Sequence, residues 1–379
     1  MISLRWVVLV GLSAILFGGC GGSGADERAN EPAPLKAADA AHARKLQELL
    51  DVQRDGYGAT AMAAAIIVRG RLVWSGGSGV ANRETKAPVT ADTPFPIFSI
   101  MKMFVGALAV KLAQEGRLKL DDPLSRTLPE WPDADRITLR MLLNQTSGVG
   151  GDQRRIERDI DARPRAVWTP RKTLGYSRRP HDAPAEKWEY NNANYVLAGL
   201  VIERATGGTV AKALRELILD PLKLHDPVLQ PQEVPRREPA HAYGRPPPIA
   251  RALRIGGRYA PYPSEASSGW TAGGMVASAP SVARFADALL RGELLSPDWR
   301  RQLLRFVPAG EDYDGYGLGV GKGQTPTGEQ VWGHLGAGRG FDTCAFHFPA
   351  RAITVVVLTS AGGNPGPVAE LLANAALEP

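Results

Sequence analysis

The hydrophobic pattern changes period several times along the chain, and each change marks an element. Ala40, Ala43, Leu46, Leu49 and Leu50 recur at helical spacing and predict a first helix over 36–54. Two apolar runs, Ala61–Val68 and Leu72–Gly79, flank Arg69-Gly70-Arg71 and predict a hairpin turning on the glycine. An unbroken helical pattern then runs through Met103, Phe104, Ala107, Leu108, Val110 and Leu112 to Gly116, a glycine placed where helices end. Ile137–Leu143, Tyr195–Thr206, a segment through Leu219, Ser281–Leu290 and Pro367–Leu377 read as further helices. Tyr316–Val320, Gln330–Leu335, Asp342–Phe348 and Ile353–Thr359 read as strands, with Pro349–Ala352 turning between the last two.

Strands early and late with helices between them predict an α/β protein of the α+β type. Its antiparallel sheet would be flanked by helices and built from both chain ends, about 36–117 and 276–379. A mostly helical region, about 118–275, would be inserted. Residues 151–187 and 227–265 are rich in Arg and Pro, show little period, and read as long surface excursions.

Composition adds an address and removes some classes of function. The 379 residues carry a formal charge of +6 and no basic stripe interleaved with aromatics, so nucleic acid is not an expected partner. Arg5, the apolar run Trp6–Phe17 broken only by Ser13, and Gly18-Gly19-Cys20 read as a secretory signal too short to span a bilayer. The cysteine after two glycines resembles a bacterial lipoprotein signal, although Phe17 stands where leucine is usual. Lipidation at Cys20 would make the protein exported and periplasmic, anchored to a membrane without crossing it. Residues 21–35 read as a flexible tether and 36–379 as the working domain. Cys344 is then left without a partner, and two cysteines exclude a disulfide scaffold or a cysteine metal site.

Three short stretches carry chemistry. Ser99 and Lys102 are three residues apart at a helix start and so share a face. A lysine of lowered pKa can take the proton of a serine hydroxyl, and a helix N-terminus favours developing negative charge. Tyr190 and Asn192 precede a strong helix. The phenol is a candidate proton acceptor or relay beside a lysine, and the amide can bind an amide substrate. Around His334 lies Trp332-Gly-His-Leu-Gly-Ala-Gly-Arg-Gly-Phe341, where glycines let backbone approach a ligand. His334 is a candidate proton relay or a cationic partner for a carboxylate.

Taken in order, Ser99-x-x-Lys102, Tyr190-x-Asn192 and His334-x-Gly336 resemble the three motifs of penicillin-recognising serine hydrolases. Met141–Gly148, Lys187–Glu203, Ala272–Ser278 and Tyr316–Gly319 are similar to the class C branch, so the resemblance covers roughly 40–375. It implies a β-lactamase/transpeptidase-like fold and an acyl-enzyme on Ser99, with proton traffic shared by Lys102 and Tyr190 and the base left open between them. It also implies an oxyanion site from the N–H groups of Ser99 and Ala337, contacts from Asn192 and Gly336, and no metal or other cofactor. His334 replaces the class C lysine, as in D,D-peptidases, D-aminopeptidases and some esterases. Leu335 lacks the hydroxyl that relatives often aim at a substrate carboxylate, and Arg339 is a candidate to compensate by charge. The expected substrate is a small ester or amide, such as a D-amino-acid peptide. A true β-lactamase and a non-catalytic lipoprotein that binds cell-wall peptides or a protein are the alternatives.

Overall fold

The computed structural model describes residues 40–177, 182–243, 263–310 and 312–378. The signal and tether expectations for 1–35 lie outside these residues, as do parts of both excursions. The early strands are β1 (Ala61–Val68), β2 (Arg71–Asn82), β3 (Ala87–Pro88) and β4 (Phe95–Pro96). The middle of the chain gives β5 (Val228–Leu229) and β6 (Met275–Ala277). The late strands are β7 (Val307–Pro308), β8 (Gly315–Tyr316), β9 (Gly321–Gln324), β10 (Gln330–Gly338), β11 (Phe341–Phe348) and β12 (Ile353–Thr359).

Among the described residues, nine strands form one sheet in the order β3-β2-β1-β12-β11-β10-β9-β8-β7. All its pairings are antiparallel. Early and late strands meet inside it, where β1 pairs with β12 from Met62 opposite Thr359 to Val68 opposite Ile353. Both strands are buried throughout, which explains why their sequences are continuous apolar runs rather than alternating ones. The helices Ala40–Tyr57 and Gly366–Ala375 pack on the sheet and on each other, and Ala279–Arg291 packs across β1, β11 and β12. A small second sheet, β4-β6-β5, ties the entry of the Ser99 segment to the inserted region.

The helix Met101–Gln114 runs through the core with buried residues on nearly every side. A helix that is apolar all round belongs inside a protein. Phe104 stacks on Phe285. Gly106 lets the helix close on the 317–320 turn: a Cβ there would sit 1.9 Å from the carbonyl oxygen of Leu318. This packing fixes the helix whose first turns carry the candidate nucleophile and lysine.

Several expectations need correction. Residues 151–187 are not structureless, because helices Gln153–Ala162 and Pro170–Leu174 form within them. Their N-caps are plain in retrospect. Asp152 accepts from the N–H of Arg155, and Thr169 from that of Lys172 with proline at the first helical position. Pro263–Gly269 and Pro297–Leu303 are also helices. Tyr316–Val320 is not one strand: β8 ends at Tyr316, and the chain turns through Gly319 at φ +88° before β9. Ser99 does not start the α-helix itself but occupies a 3-10 turn, Phe98–Ile100, ahead of it.

The Gly106 contact gives a stability test that runs against propensity. Glycine to alanine inside a helix ordinarily stabilises, by roughly 0.5–1 kcal/mol. Gly106→Ala is expected instead to destabilise by about 1–3 kcal/mol through overpacking. A thermal melt would show a lowered Tm, and a raised Tm would mean that the helix does not sit this close to the turn.

Candidate active site

The nucleophile's position comes from a strained turn. Phe98 has φ +46°, a conformation uncommon outside glycine. Its ring fills the space over Gly338, where a Cβ would fall 1.9 Å from the ring, and it packs on Phe341 with centroids 6.0 Å apart. The strained residue is thereby locked, and Ser99 follows it at the start of the buried helix.

Lys102 is wholly buried. Its Nζ lies 2.9 Å from Ser99 Oγ, 2.8 Å from Asn192 Oδ1 and 2.8 Å from the carbonyl oxygen of Ala272. Burial holds its pKa well below the ordinary 10.5. A neutral amine has two N–H groups and one lone pair. The Asn192 and Ala272 oxygens are acceptors only, so they take the two N–H groups. The lone pair is left facing the Ser99 hydroxyl.

Tyr190 and Asn192 are brought in by Gln145. Its main-chain oxygen accepts from the N–H of Glu189, and its side-chain oxygen accepts from Asn191 N–H and Asn194 Nδ2. Asn191 then caps the Asn192–Thr206 helix. The asparagines divide the work, since one caps and the next binds the lysine. The ring of Tyr190 faces Lys102 Nζ at 4.8 Å from the centroid, which sets its phenol beside the Ser99–Lys102 pair. Burial pushes this phenol well above its usual range, so it stays protonated.

The fourth wall is β10. It pairs with β11 along Trp332–Gly338, but with β9 only as far as Gly333. Beyond Gly333 no described strand pairs with that edge. Alternate residues of an antiparallel strand point their N–H groups to the same edge. Tyr313 Oη accepts from Leu335 N–H at 3.2 Å, and Glu265 Oε1 accepts from Arg339 N–H at 3.2 Å. Ala337 N–H lies between these two capped donors. Gly336 lets this edge press onto the Ser99 turn, since a Cβ there would meet the Ile97 carbonyl oxygen at 2.3 Å.

A Beta-lactamase family profile matches residues 43–378. The chain belongs to the Beta-lactamase family. Protein flp of Staphylococcus aureus (strain N315) is 32% identical over 164 residues, 42% of this chain and 32% of that protein. The chain thus spans only about a third of the length of that relative. A D-stereospecific amidohydrolase from Streptomyces sp. superposes with TM-score 0.70 at 27% identity, covering 86% of this chain and 95% of that one. The D-amino acid amidase from Ochrobactrum anthropi SV3, in complex with L-phenylalanine amide, gives 0.75 at 24% identity, covering 89% and 98%, and shows the shared fold.

Within this family frame, two expected roles change. His334 is 1% exposed, and burial and then the nearby Lys102 push its pKa down to about 3. It is therefore a neutral imidazole at ordinary pH and not a cation for a substrate carboxylate. Nε2 lies 2.8 Å from Tyr316 Oη, and the ring faces Tyr190 with centroids 6.1 Å apart. Arg339 is already engaged: Asp161 lies at 2.5 Å, Glu265 at 3.9 Å and the Glu157 carbonyl oxygen at 3.2 Å from its guanidinium. Its charge is balanced within the protein.

Sequence reasoning passed over Gln145, Ala272, Tyr313 and Tyr316. Gln145 and Tyr316 stood in segments already singled out, and their polar side chains among apolar neighbours were the available signal. Ala272 contributes only a carbonyl, which no side-chain pattern announces. Tyr313 lies 21 residues upstream of the histidine it meets.

The lysine geometry sets a pH test. A lysine of lowered pKa is protonated, and loses its lone pair, only below that lowered value. Labelling of Ser99 by a fluorophosphonate is expected to be fast at high pH and to fall as pH drops through a midpoint well under 10.5. Lys102→Arg introduces a permanent charge and offers no free pair, and should slow labelling by about 100-fold or more. A rate that falls only below a midpoint near 10.5 would contradict the assignment.

Proposed function

We propose that the chain is an exported serine hydrolase that forms an acyl-enzyme on Ser99 and acts on a small, uncharged ester or amide bond. The Ser99 Oγ to Lys102 Nζ contact of 2.9 Å, made to a buried lysine of lowered pKa, carries this reading. Lys102 takes the hydroxyl proton while Oγ bonds to the acyl carbon. The N–H groups of Ser99 and Ala337 receive the oxyanion. The proton passes through the Tyr190 phenol to the departing alcohol or amine as the acyl bond to it breaks. Water then adds to the acyl-enzyme by the same route in reverse, giving the acid and restoring Ser99.

The names of similar structures, a D-stereospecific amidohydrolase and a D-amino acid amidase, favour D-amino-acid amides or esters. A terminal carboxylate, as in D-Ala-D-Ala or a β-lactam, finds a neutral His334, a leucine at 335 and a paired Arg339. Carboxypeptidase and efficient β-lactamase activity are therefore the weaker readings. The sequence of residues 1–20 supports export with a lipid on Cys20.

Purified protein is expected to hydrolyse p-nitrophenyl acetate, to show a mass increase on Ser99, and to lose both on Ser99→Ala. A chain that never forms an adduct with any ester, lactam or fluorophosphonate would be a binding protein instead. Nitrocefin turnover as fast as ester turnover would favour the β-lactamase reading. Metabolic labelling with a palmitate analogue is expected to mark the wild type and not Cys20→Ser, and equal absence from both would remove the lipid anchor.

A further inference from the structure

Tyr313 belongs to none of the three motifs, yet its hydroxyl lies in the site. The ring packs on Gly321, where a Cβ would fall 2.2 Å from ring carbons. It stands 5.5 Å, centroid to centroid, from both Tyr316 and His334. The oxygen accepts Leu335 N–H and lies 3.3 Å from His334 Nδ1. The phenol has one proton to give, and the imidazole decides where it can go.

His334 Nδ1 is 2.5 Å from the carbonyl oxygen of Leu335. Two lone pairs do not share so short a contact, so Nδ1 carries the ring hydrogen and donates it there. Nε2 is then the acceptor and takes the Tyr316 O–H at 2.8 Å. An Nδ1 that already holds a hydrogen cannot accept from Tyr313. The Tyr313 O–H is therefore left without an acceptor in this cluster, while its oxygen is fixed by the Leu335 N–H.

The location of this donor tells which half of a substrate it meets. The edge of β10 runs from Leu335, beside Tyr313 and His334, to Arg339, beside Glu265. Ala337 N–H, the oxyanion donor, is in the middle. The Tyr190 phenol that protonates the leaving group is at the His334 end. The acyl half therefore extends towards Glu265 and the leaving half towards Tyr313.

We propose that Tyr313 is a substrate-binding residue whose O–H donates to an oxygen carried by the leaving half of the substrate. A neutral carbonyl or ether oxygen is the acceptor that fits, because His334 carries no charge and Asp312 adjoins Tyr313. The inference rests on the serine-hydrolase reading and deepens it.

The test uses phenyl acetate and the acetates of methyl 2-, 3- and 4-hydroxybenzoate, which place a carbonyl at three distances from the scissile bond. Tyr313→Phe keeps the ring and removes the donor. Its kcat/KM on phenyl acetate sets the baseline, because the change also removes the acceptor of Leu335 N–H. On at least one benzoate ester it should fall by a further factor of roughly three to ten, the worth of one neutral hydrogen bond. Tyr313→Leu removes the hydroxyl by another route and reads the same ratio if the phenylalanine variant melts early. An equal change on all four esters would overturn the assignment while leaving the hydrolase intact. A wild type inactive on every ester would sink the hydrolase reading, and the role of Tyr313 with it.

Discussion

A lysine side chain with no access to water dominates this structure. An ammonium there, with no carboxylate partner among the described residues, is costly, and the protein answers with two fixed carbonyl-type oxygens. That choice sets the chemistry. A carboxylate would have kept Lys102 protonated and raised its pKa. Neutral acceptors leave an amine whose remaining valence faces Ser99. The same burial keeps Tyr190 a phenol and His334 a neutral imidazole, so the site holds its protons in hydroxyls and amines rather than in ions.

The scaffold can be read as the means of holding that lysine in place. Early and late strands pair inside the sheet, so it closes only when both parts have folded. Ala272 reaches the amine from the inserted region, Asn192 from the helix that Gln145 anchors, and the edge of β10 from the far end of the chain. Glycines at 106, 336 and 338 allow the three close approaches this needs. Each is a place where a Cβ would push the serine turn out of register with its partners.

Much of this was legible in the sequence because burial leaves a pattern. β1 and β12 are apolar runs, the Ser99 helix is apolar all round, and the three polar motifs stand out against them. The parts that were not legible depend on tertiary geometry. Arg339 looked like a free charge because Asp161 and Glu265, its partners, are 178 and 74 residues away. His334 looked like a cation because its sequence neighbours do not reveal that it is buried. The excursion 151–187 hid two short helices whose caps were visible but whose apolar faces were too narrow to give a period.

Burial lowers the pKa of Lys102 well below that of an exposed lysine, and on this its role as the base for Ser99 depends. Incorporation of lysine labelled with 13C at Cε, with Lys102→Arg to assign the resonance, measures this without any substrate. One Cε signal should titrate well below those of the other lysines. A Lys102 signal that stays protonated until it titrates near 10.5 would mean that the serine has no base beside it.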